Sequence, residues 1–308
     1  MNQSNLYMYH LDNLRRSRKI TVESFCEGIC SDRQYRRLLS GQQNISDQKI
    51  YDFCNKLGIS AKDFYYSANE KDRYEYSKVV ALYSHLQKNN LSMFLKELKE
   101  IKEERLVNNQ NKRFLNYCLI KYQNMTNKVN DKTCIEELSS ICSYPQNKKY
   151  ESFDFVDIIS LAMIAEIEVK YKREEALILL SKILASGRLI YISSESRHIL
   201  PNVYTTVSIL LSRLQKFEEA FNLSKSGVEY SIAHSNFSTL THLYYVQFYT
   251  SLKMGNNRQA EIYAVKSLAN CIAKGDKTEY NTTYNLLKKN LGSDPVTLFS
   301  IYGNEVFI

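Results

Sequence analysis

Over the first 66 positions the apolar residues recur at helical spacing and are divided into short runs by residues that cap or stop helices. Leu6, Leu11 and Leu14 mark one face of a first helix, which ends in Arg15, Arg16 and Arg18. Thr21 is placed to cap a second helix over 22–27, with Phe25 inward and Gly28 ending it. Ser31 caps a third helix reaching Ser40, with Tyr35, Leu38 and Leu39 toward the core and Gly41 as its stop. Ser46 caps a fourth, with Ile50, Phe53, Cys54 and Leu57 inward, and Ser60 caps a short fifth with Phe64 and Tyr65. Subtracting the inward positions leaves Asp32, Arg33, Gln34, Arg36 and Arg37 on the outer face of the third helix.

From about residue 75 the pattern changes to a long repeat, in which a polar turn and charged residues precede an apolar residue that opens a helix. The clearest copies are Lys172-Arg173-Glu174-Glu175-Ala176, Lys216-Phe217-Glu218-Glu219-Ala220 and Asn256-Asn257-Arg258-Gln259-Ala260, whose alanines lie 44 and 40 residues apart. Weaker copies place Ile135 and Phe94 at the same point, at steps of 41. Small or apolar residues follow at plus four and plus seven: Leu180 and Ile183, Ser224 and Gly227, Ala264 and Ser267, Ser139 and Cys142, Leu98 and Ile101. Each such helix is preceded by another apolar one, as over 157–170, 202–214 and 240–252. A helix pair of this kind cannot cover its own apolar face, so neighbouring pairs must stack. The unit resembles a tetratricopeptide repeat lengthened beyond its usual ~34 residues, although no copy carries the full signature and another helical repeat type would serve equally. A terminal helix is expected over 276–291, and the apolar residues 293–308 are expected to pack on the array or on a second subunit.

The first helix of each pair lines the inside of such an array. Counting from the repeat alanines, its outward residues are Asn202, Thr205, Ile209 and Arg213 in the fourth pair and His242, Tyr245, Tyr249 and Lys253 in the fifth, with Asn124 and Tyr83 at comparable places earlier. An asparagine amide donates to one backbone carbonyl of an extended peptide and accepts from an N–H at once, while tyrosine brings apolar area with a polar tip. These ten are the candidate peptide contacts.

Composition narrows the class. The chain has 308 residues, 9 Gly and 3 Pro, too few for turn-rich β architectures or glycine-rich phosphate loops. Seven scattered cysteines without CxxC spacing give neither a disulfide framework nor a zinc site, and a reducing cytosol is the expected setting. The most apolar stretch, 155–169, contains Asp157, Glu166 and Glu168, so no membrane span or membrane partner is expected. GxxxxGK[ST], GxGxxG, HExxH and GxSxG are all missing and the five histidines are dispersed, so neither catalysis nor a cofactor or metal site is expected. The formal net charge is +8, and its placement matters more than its size. Arg15, Arg16, Arg18, Lys19, Arg33, Arg36 and Arg37 share one 23-residue window.

A guanidinium bonds guanine O6 and N7 together, glutamine does the same for adenine, and a carboxylate accepts from cytosine N4. Arg33, Gln34, Arg37 and Asp32 are therefore the candidate base contacts. Arg15, Arg16, Arg18, Lys19 and Arg36 are candidate phosphate contacts, joined by Thr21, Ser31 and Gln42. The spacing of Arg15, Thr21, Phe25, Ser31, Tyr35 and Gly41, with Ile45-Ser46 and Leu57-Gly58-Ile59-Ser60, resembles the helix-turn-helix of lambda-repressor-like (XRE) regulators. The shortened turn Phe25-Cys26-Glu27-Gly28-Ile29-Cys30-Ser31 resembles more narrowly the Rgg, PlcR and PrgX group (RRNPP) of peptide-responsive regulators. Two positions depart from the family pattern: Val22 stands where a glutamine is usual, and Leu39 where a glutamate pairs with the arginine equivalent to Arg15. Without that glutamate, Arg15 is expected to turn outward and join the phosphate contacts.

The resemblance implies an all-α chain: a five-helix DNA-binding domain over 1–66, a linker over 67–74, a right-handed α-solenoid of about five helix pairs over 75–292 for peptide binding and dimerisation, and a tail over 293–308. It implies a cytoplasmic homodimer that binds double-stranded operator DNA and is switched by a short signalling peptide, as in quorum sensing. Two other readings fit the same residues: a helical-repeat adaptor for a protein partner, and a DNA-binding regulator whose repeats only dimerise.

Overall fold

A computed structural model describes residues 3–68, 70–103, 106, 108–185, 189–191 and 197–303. Residues 304–308, the end of the expected tail, and residue 69 of the expected linker lie outside that set. The chain forms two compact units, Met1–Lys112 and Arg113–Ile308.

The first unit opens with five short helices: α1 (Gln3–Ser17), α2 (Val22–Cys26), α3 (Asp32–Leu39), α4 (Asp47–Lys56) and α5 (Ala61–Ala68). Their starts are set by side chains that accept otherwise orphaned backbone N–H groups. Thr21 Oγ1 accepts from Ser24 N and Ser31 Oγ from Gln34 N, both at 3.2 Å, and Ser46 Oγ accepts from Lys49 N at 3.4 Å. Ser60 Oγ accepts from Asp63 N and returns its own proton to the Asp63 carboxylate at 2.7 Å. Gly28 and Gly41 bracket α3 at φ +79° and +78°, a conformation in which a side chain is strained. The core gathers Met8, Leu11, Phe25, Tyr35, Leu38, Ile50, Phe53 and Phe64, with Phe25 stacked on Phe53 at 4.6 Å between centroids. Burial of each such side chain contributes roughly 1.5–3 kcal/mol. Lys56 adds a polar fastening that is not evident in the local sequence: its Nζ donates to the carbonyls of Ser24 and Glu27 at the end of α2. The same unit holds α6 (Glu70–Gln87), whose Val79, Leu82, Tyr83 and Leu86 are buried, packed on α7 (Leu91–Glu103), whose Phe94, Leu98 and Ile101 are buried.

The second unit runs from α8 (Asn109–Met125), which carries the boundary, through α9 (Asp131–Cys142), α10 (Phe155–Lys170), α11 (Glu175–Ala185), α12 (Leu200–Arg213), α13 (Phe217–Ala233), α14 (Leu240–Lys253) and α15 (Asn257–Lys274). Then α16 (Lys277–Leu291) and α17 (Leu298–Tyr302) follow. The repeat alanines Ala176, Ala220 and Ala260 are fully buried on α11, α13 and α15, each packed against the helix before it. In the copy on α9 the first two positions lie one residue before those expected, while Cys142 is buried as expected. On α9 the buried face is Cys134, Leu138 and Cys142, and Ile135 is only half-buried. The helix start there is set by Asn130, whose side chain accepts from Thr133 N at 2.8 Å. At Gly227, the plus-seven position of its copy, α13 passes so close to its neighbours that a Cβ would lie 2.8 Å from Tyr204 Cβ and 2.9 Å from Leu243 Cδ2.

Arg113 joins three elements. It donates to the Ile141 carbonyl at the end of α9 and to Asp154 and Asp157, which form the capping box of α10. Glu168, buried on α10, accepts from Tyr144 Oη at 3.2 Å and from Ala176 N at 2.9 Å, so it caps the start of α11. A two-stranded parallel ladder, β1 (Ser152–Asp154) with β2 (Leu189–Tyr191), is an addition to the expected all-α architecture. It is three residues long and leaves the class unchanged. At the far end, Leu298, Phe299 and Tyr302 pack on a core that includes Phe248, Ala264, Leu268 and Leu287. No helix among the described residues is long and apolar enough to cross a membrane.

Candidate nucleic-acid interface and ligand groove

The basic face of the first unit follows from how α3 is fixed. Tyr35 and Leu38 are fully buried and Leu39 is half-buried, so the helix cannot rotate, and Asp32, Arg33, Arg36 and Arg37 are left exposed with Gln34 half-buried beside them. Three guanidinium groups and one carboxylate on a single exposed turn and a half leave a local excess of positive charge. Arg18, Lys19 and Gln42 are also exposed. Thr21 and Ser31 are occupied as caps, but a hydroxyl that accepts keeps its proton to donate.

Arg15 departs from expectation. Its side chain is 11% exposed and points inward, with Nε and Nη2 on Asp12 Oδ1 at 2.9 and 2.7 Å and Nη1 on the Ile20 carbonyl at 2.6 Å. The partner that Leu39 does not supply is Asp12, one helical turn before the arginine, so Arg15 is removed from the phosphate contacts. Arg16 Nε also donates to Asp12, at 2.7 Å, yet its side chain stays 68% exposed and remains on the surface. Burial would raise the Asp12 carboxyl, but the hydrogen bonds from Tyr35 and Arg15 and the charges of Arg15 and Arg16 outweigh it and hold the group below the usual carboxylate range. Tyr35 is raised by burial and by its bond to that carboxylate, and stays a neutral donor.

In the second unit a cavity of about 690 Å³ opens between α12, α14 and α16. Six of the candidate peptide contacts line it: Ile209 and Arg213 from α12, and His242, Tyr245, Tyr249 and Lys253 from α14. Both helices are 14 residues long and end on their cation, so Arg213 and Lys253 hold equivalent places, as do Ile209 and Tyr249 one turn earlier. Lys253 Nζ stands 5.3 Å from the Tyr249 ring centroid. At the other end, His242 Nε2 lies 3.7 Å from Glu279 Oε1, which also holds Lys274 Nζ at 3.0 Å. The His242 side chain is 54% exposed, yet its partial desolvation in the groove keeps the imidazole below its usual pKa; Glu279 opposes this and Lys274 adds to it.

The other four candidates lie elsewhere. Thr205, equivalent to Tyr245, is buried, and its hydroxyl donates to the Pro201 carbonyl at 2.9 Å, because a side chain that short folds back on its own helix. Tyr83 is a core residue of the first unit at 3% exposure. Asn124 is engaged within its own repeat, its Nδ2 donating to Asp131 Oδ1 at 3.1 Å. Asn202 is half-buried on the first turn of α12, outside the cavity lining. The cavity also takes Phe217, Val246 and Leu286, which the repeat count did not pick. Phe217 was detectable: it stands three residues before Ala220, where the other strong copies have Arg173 and Asn257, and its ring meets Tyr249 edge-on at 6.4 Å. Leu286 belongs to α16, outside the repeats, and carries no such signal.

No family model matches the chain, and no curated protein matches it. Solved structures do. The structure of Bacillus thuringiensis PlcR in complex with the peptide PapR7 and DNA superposes with a TM-score of 0.68 at 20% identity, covering 92% of this chain and 99% of that one. ComR from S. thermophilus, in complex with DNA and its signalling peptide ComS, gives 0.64 at 12% identity, and the Streptococcus dysgalactiae SHP pheromone receptor Rgg2 gives 0.59 at 16%, each with the same coverage. At these identities the likeness establishes the fold. The chain has the helical architecture of PlcR, ComR and Rgg2 over nearly its whole length, as the helix-turn-helix spacing and the repeats led one to expect.

Proposed function

We propose that the chain is a sequence-specific DNA-binding transcription regulator whose activity is switched by a short signalling peptide held in the groove between α12 and α14. Residues 1–66 engage operator DNA, 75–292 hold the peptide and dimerise, and 293–308 pack on the repeats or a second subunit; the joining stretch 67–74, expected as a linker, is the end of α5 and the start of α6 on either side of residue 69. The observation that carries this reading is the convergence of six residues, chosen by repeat position alone, on one cavity in a chain that also presents Arg33, Arg36 and Arg37 on a fixed, capped helix. That PlcR and ComR were each solved with both DNA and a peptide supports it.

In this reading the N-terminal part of α3 enters the major groove. Arg33, Gln34, Arg37 and Asp32 meet base edges, while Arg16, Arg18, Lys19, Thr21, Ser31, Arg36 and Gln42 hold phosphates and set register. A cytoplasmic homodimer places two such helices about one helical turn of DNA apart, or a multiple. A peptide in the groove shifts the curvature of the array only by binding one curvature better than another, and the dimer passes that shift to the spacing of the recognition helices.

The deciding experiment pairs two measurements on the full chain. DNA affinity that falls steeply with salt and with Arg33→Ala and Arg37→Ala separates a regulator from an adaptor. Melting temperature with peptides of five to ten residues encoded near the gene separates a peptide-switched regulator from one whose repeats only dimerise.

A further inference from the structure

The charges around the groove are unevenly matched. At the His242 end, Glu279 neutralises Lys274 and faces the imidazole. At the other end stand Arg213 and Lys253, both exposed, and no carboxylate lines the cavity. Among the described residues no carboxylate forms an ion pair with either cation; Glu166 on α10 is within electrostatic reach of Arg213, but its charge is divided among Lys121, Arg213 and Lys170. Each cation sits at a helix C-terminus, whose partial charge of about −0.5 offsets only part of it. Ser212 and Gln215 add polar groups to the lining, and the rest of the wall is apolar or aromatic: Ile209, Phe217, Tyr245, Val246, Tyr249 and Leu286.

We infer that the groove selects a peptide that is apolar along its length and bears a carboxylate, from its C-terminus or from an Asp or Glu side chain, seated against Arg213 and Lys253. The inference rests on the peptide-binding reading above and adds to it the chemistry and orientation of the ligand. The length follows from the geometry. His242 and Lys253 are 11 residues apart on α14, about 16 Å at 1.5 Å per residue, which an extended chain covers with about five residues. A carboxylate between a guanidinium and an ammonium gains charge-assisted hydrogen bonds from both.

The test uses three pools of N-acetylated heptapeptides, incubated with the immobilised full-length protein and read by mass spectrometry of what is retained. One pool has a free C-terminus and no Asp or Glu, the second has a C-terminal amide with Asp and Glu allowed, and the third has the amide and neither residue. The first or second pool is expected to be retained about tenfold better than the third, and which of the two it is identifies the source of the carboxylate. Arg213→Gln with Lys253→Gln is expected to abolish that difference while the choice of apolar residues persists; helical circular dichroism of the double variant checks its folding. Equal retention of the third pool, or a carboxylate preference unchanged in the double variant, overturns the inference and leaves peptide binding standing. Retention of none of the pools overturns peptide binding itself, and the inference with it.

Discussion

Tyr35 donates its hydroxyl proton to Asp12 Oδ1 at 2.7 Å, joining α3 to α1 through a carboxylate that is itself 3% exposed. The same carboxylate takes Arg15 and Arg16, so the orientation of α3 depends on one acidic side chain in α1. Asp12→Ala leaves Arg15 and Tyr35 without their partner, and a loss of about 3 kcal/mol in unfolding free energy is expected from urea titration. Tyr35→Phe, which removes one hydrogen bond and no volume, is expected to cost about 1 kcal/mol.

Acid titration tests the same network. The folded pKa of Asp12 lies below its ordinary value, so its contribution is complete above the unfolded value of about 3.9 and is lost as pH falls through the lower folded value. Between pH 6 and pH 3 the wild type should lose more stability than Asp12→Asn, which carries no carboxylate there. Parallel curves would assign the acid sensitivity to other groups.

If α3 reads DNA as proposed, Arg33→Ala and Arg37→Ala are each expected to weaken specific binding by about 1–3 kcal/mol and to relax the preference at one base position, with the melting temperature unchanged. Arg18→Ala should weaken all sequences alike and lower the slope of log affinity against log salt by about one. Fluorescence anisotropy at several salt concentrations distinguishes the two behaviours.

At Gly227 the α13 backbone lies directly against α12 and α14. Gly227→Ala forces a methyl group to within 2.8 Å of Tyr204 Cβ, an atom at the root of its side chain that no rotamer change can withdraw. A destabilisation of about 1–3 kcal/mol is expected, measurable as a lowered urea midpoint. An unchanged midpoint would mean that α13 shifts freely against α12.

Arg113→Met is expected to cost about 3 kcal/mol, because it leaves the Asp154 and Asp157 carboxylates facing each other and the Ile141 carbonyl without its donor. Asp157 is already held above the usual carboxylate range by burial and by Asp154, so the variant should regain stability on mild acidification. Thermal melts at pH 7 and pH 5 would show whether that gap narrows.

What the sequence revealed depended on how local each determinant is. Thr21, Ser31, Ser46 and Ser60 were legible as caps because a cap needs only its own residue and the next turn. Ala176, Ala220 and Ala260 were legible because a charged turn announces each one. Ile135 was placed one residue past the buried Cys134, because the Asn130 cap fixes which of the two neighbouring apolar residues turns inward. Arg15 was misread because its partner was sought at Leu39, in another helix, while Asp12 sits three residues before it, an acidic residue that sequence alone does not mark as buried. Thr205 shares its repeat position with Tyr245, and only side-chain length decides which of them reaches the cavity.

The fastening by Arg113 and Glu168 makes the repeats mechanically unequal. Arg113 clamps α8, the end of α9 and the start of α10, and Glu168 carries the clamp to α11, so those four helices form a stiff handle. Beyond them, α12 and α14 border the cavity with apolar and aromatic side chains, while Gly227 lets α13 pack closely behind them. Flexing is therefore left to the cavity-facing side of α12 and α14, and amide exchange should be slowest in α10 and faster along that side until the space is filled.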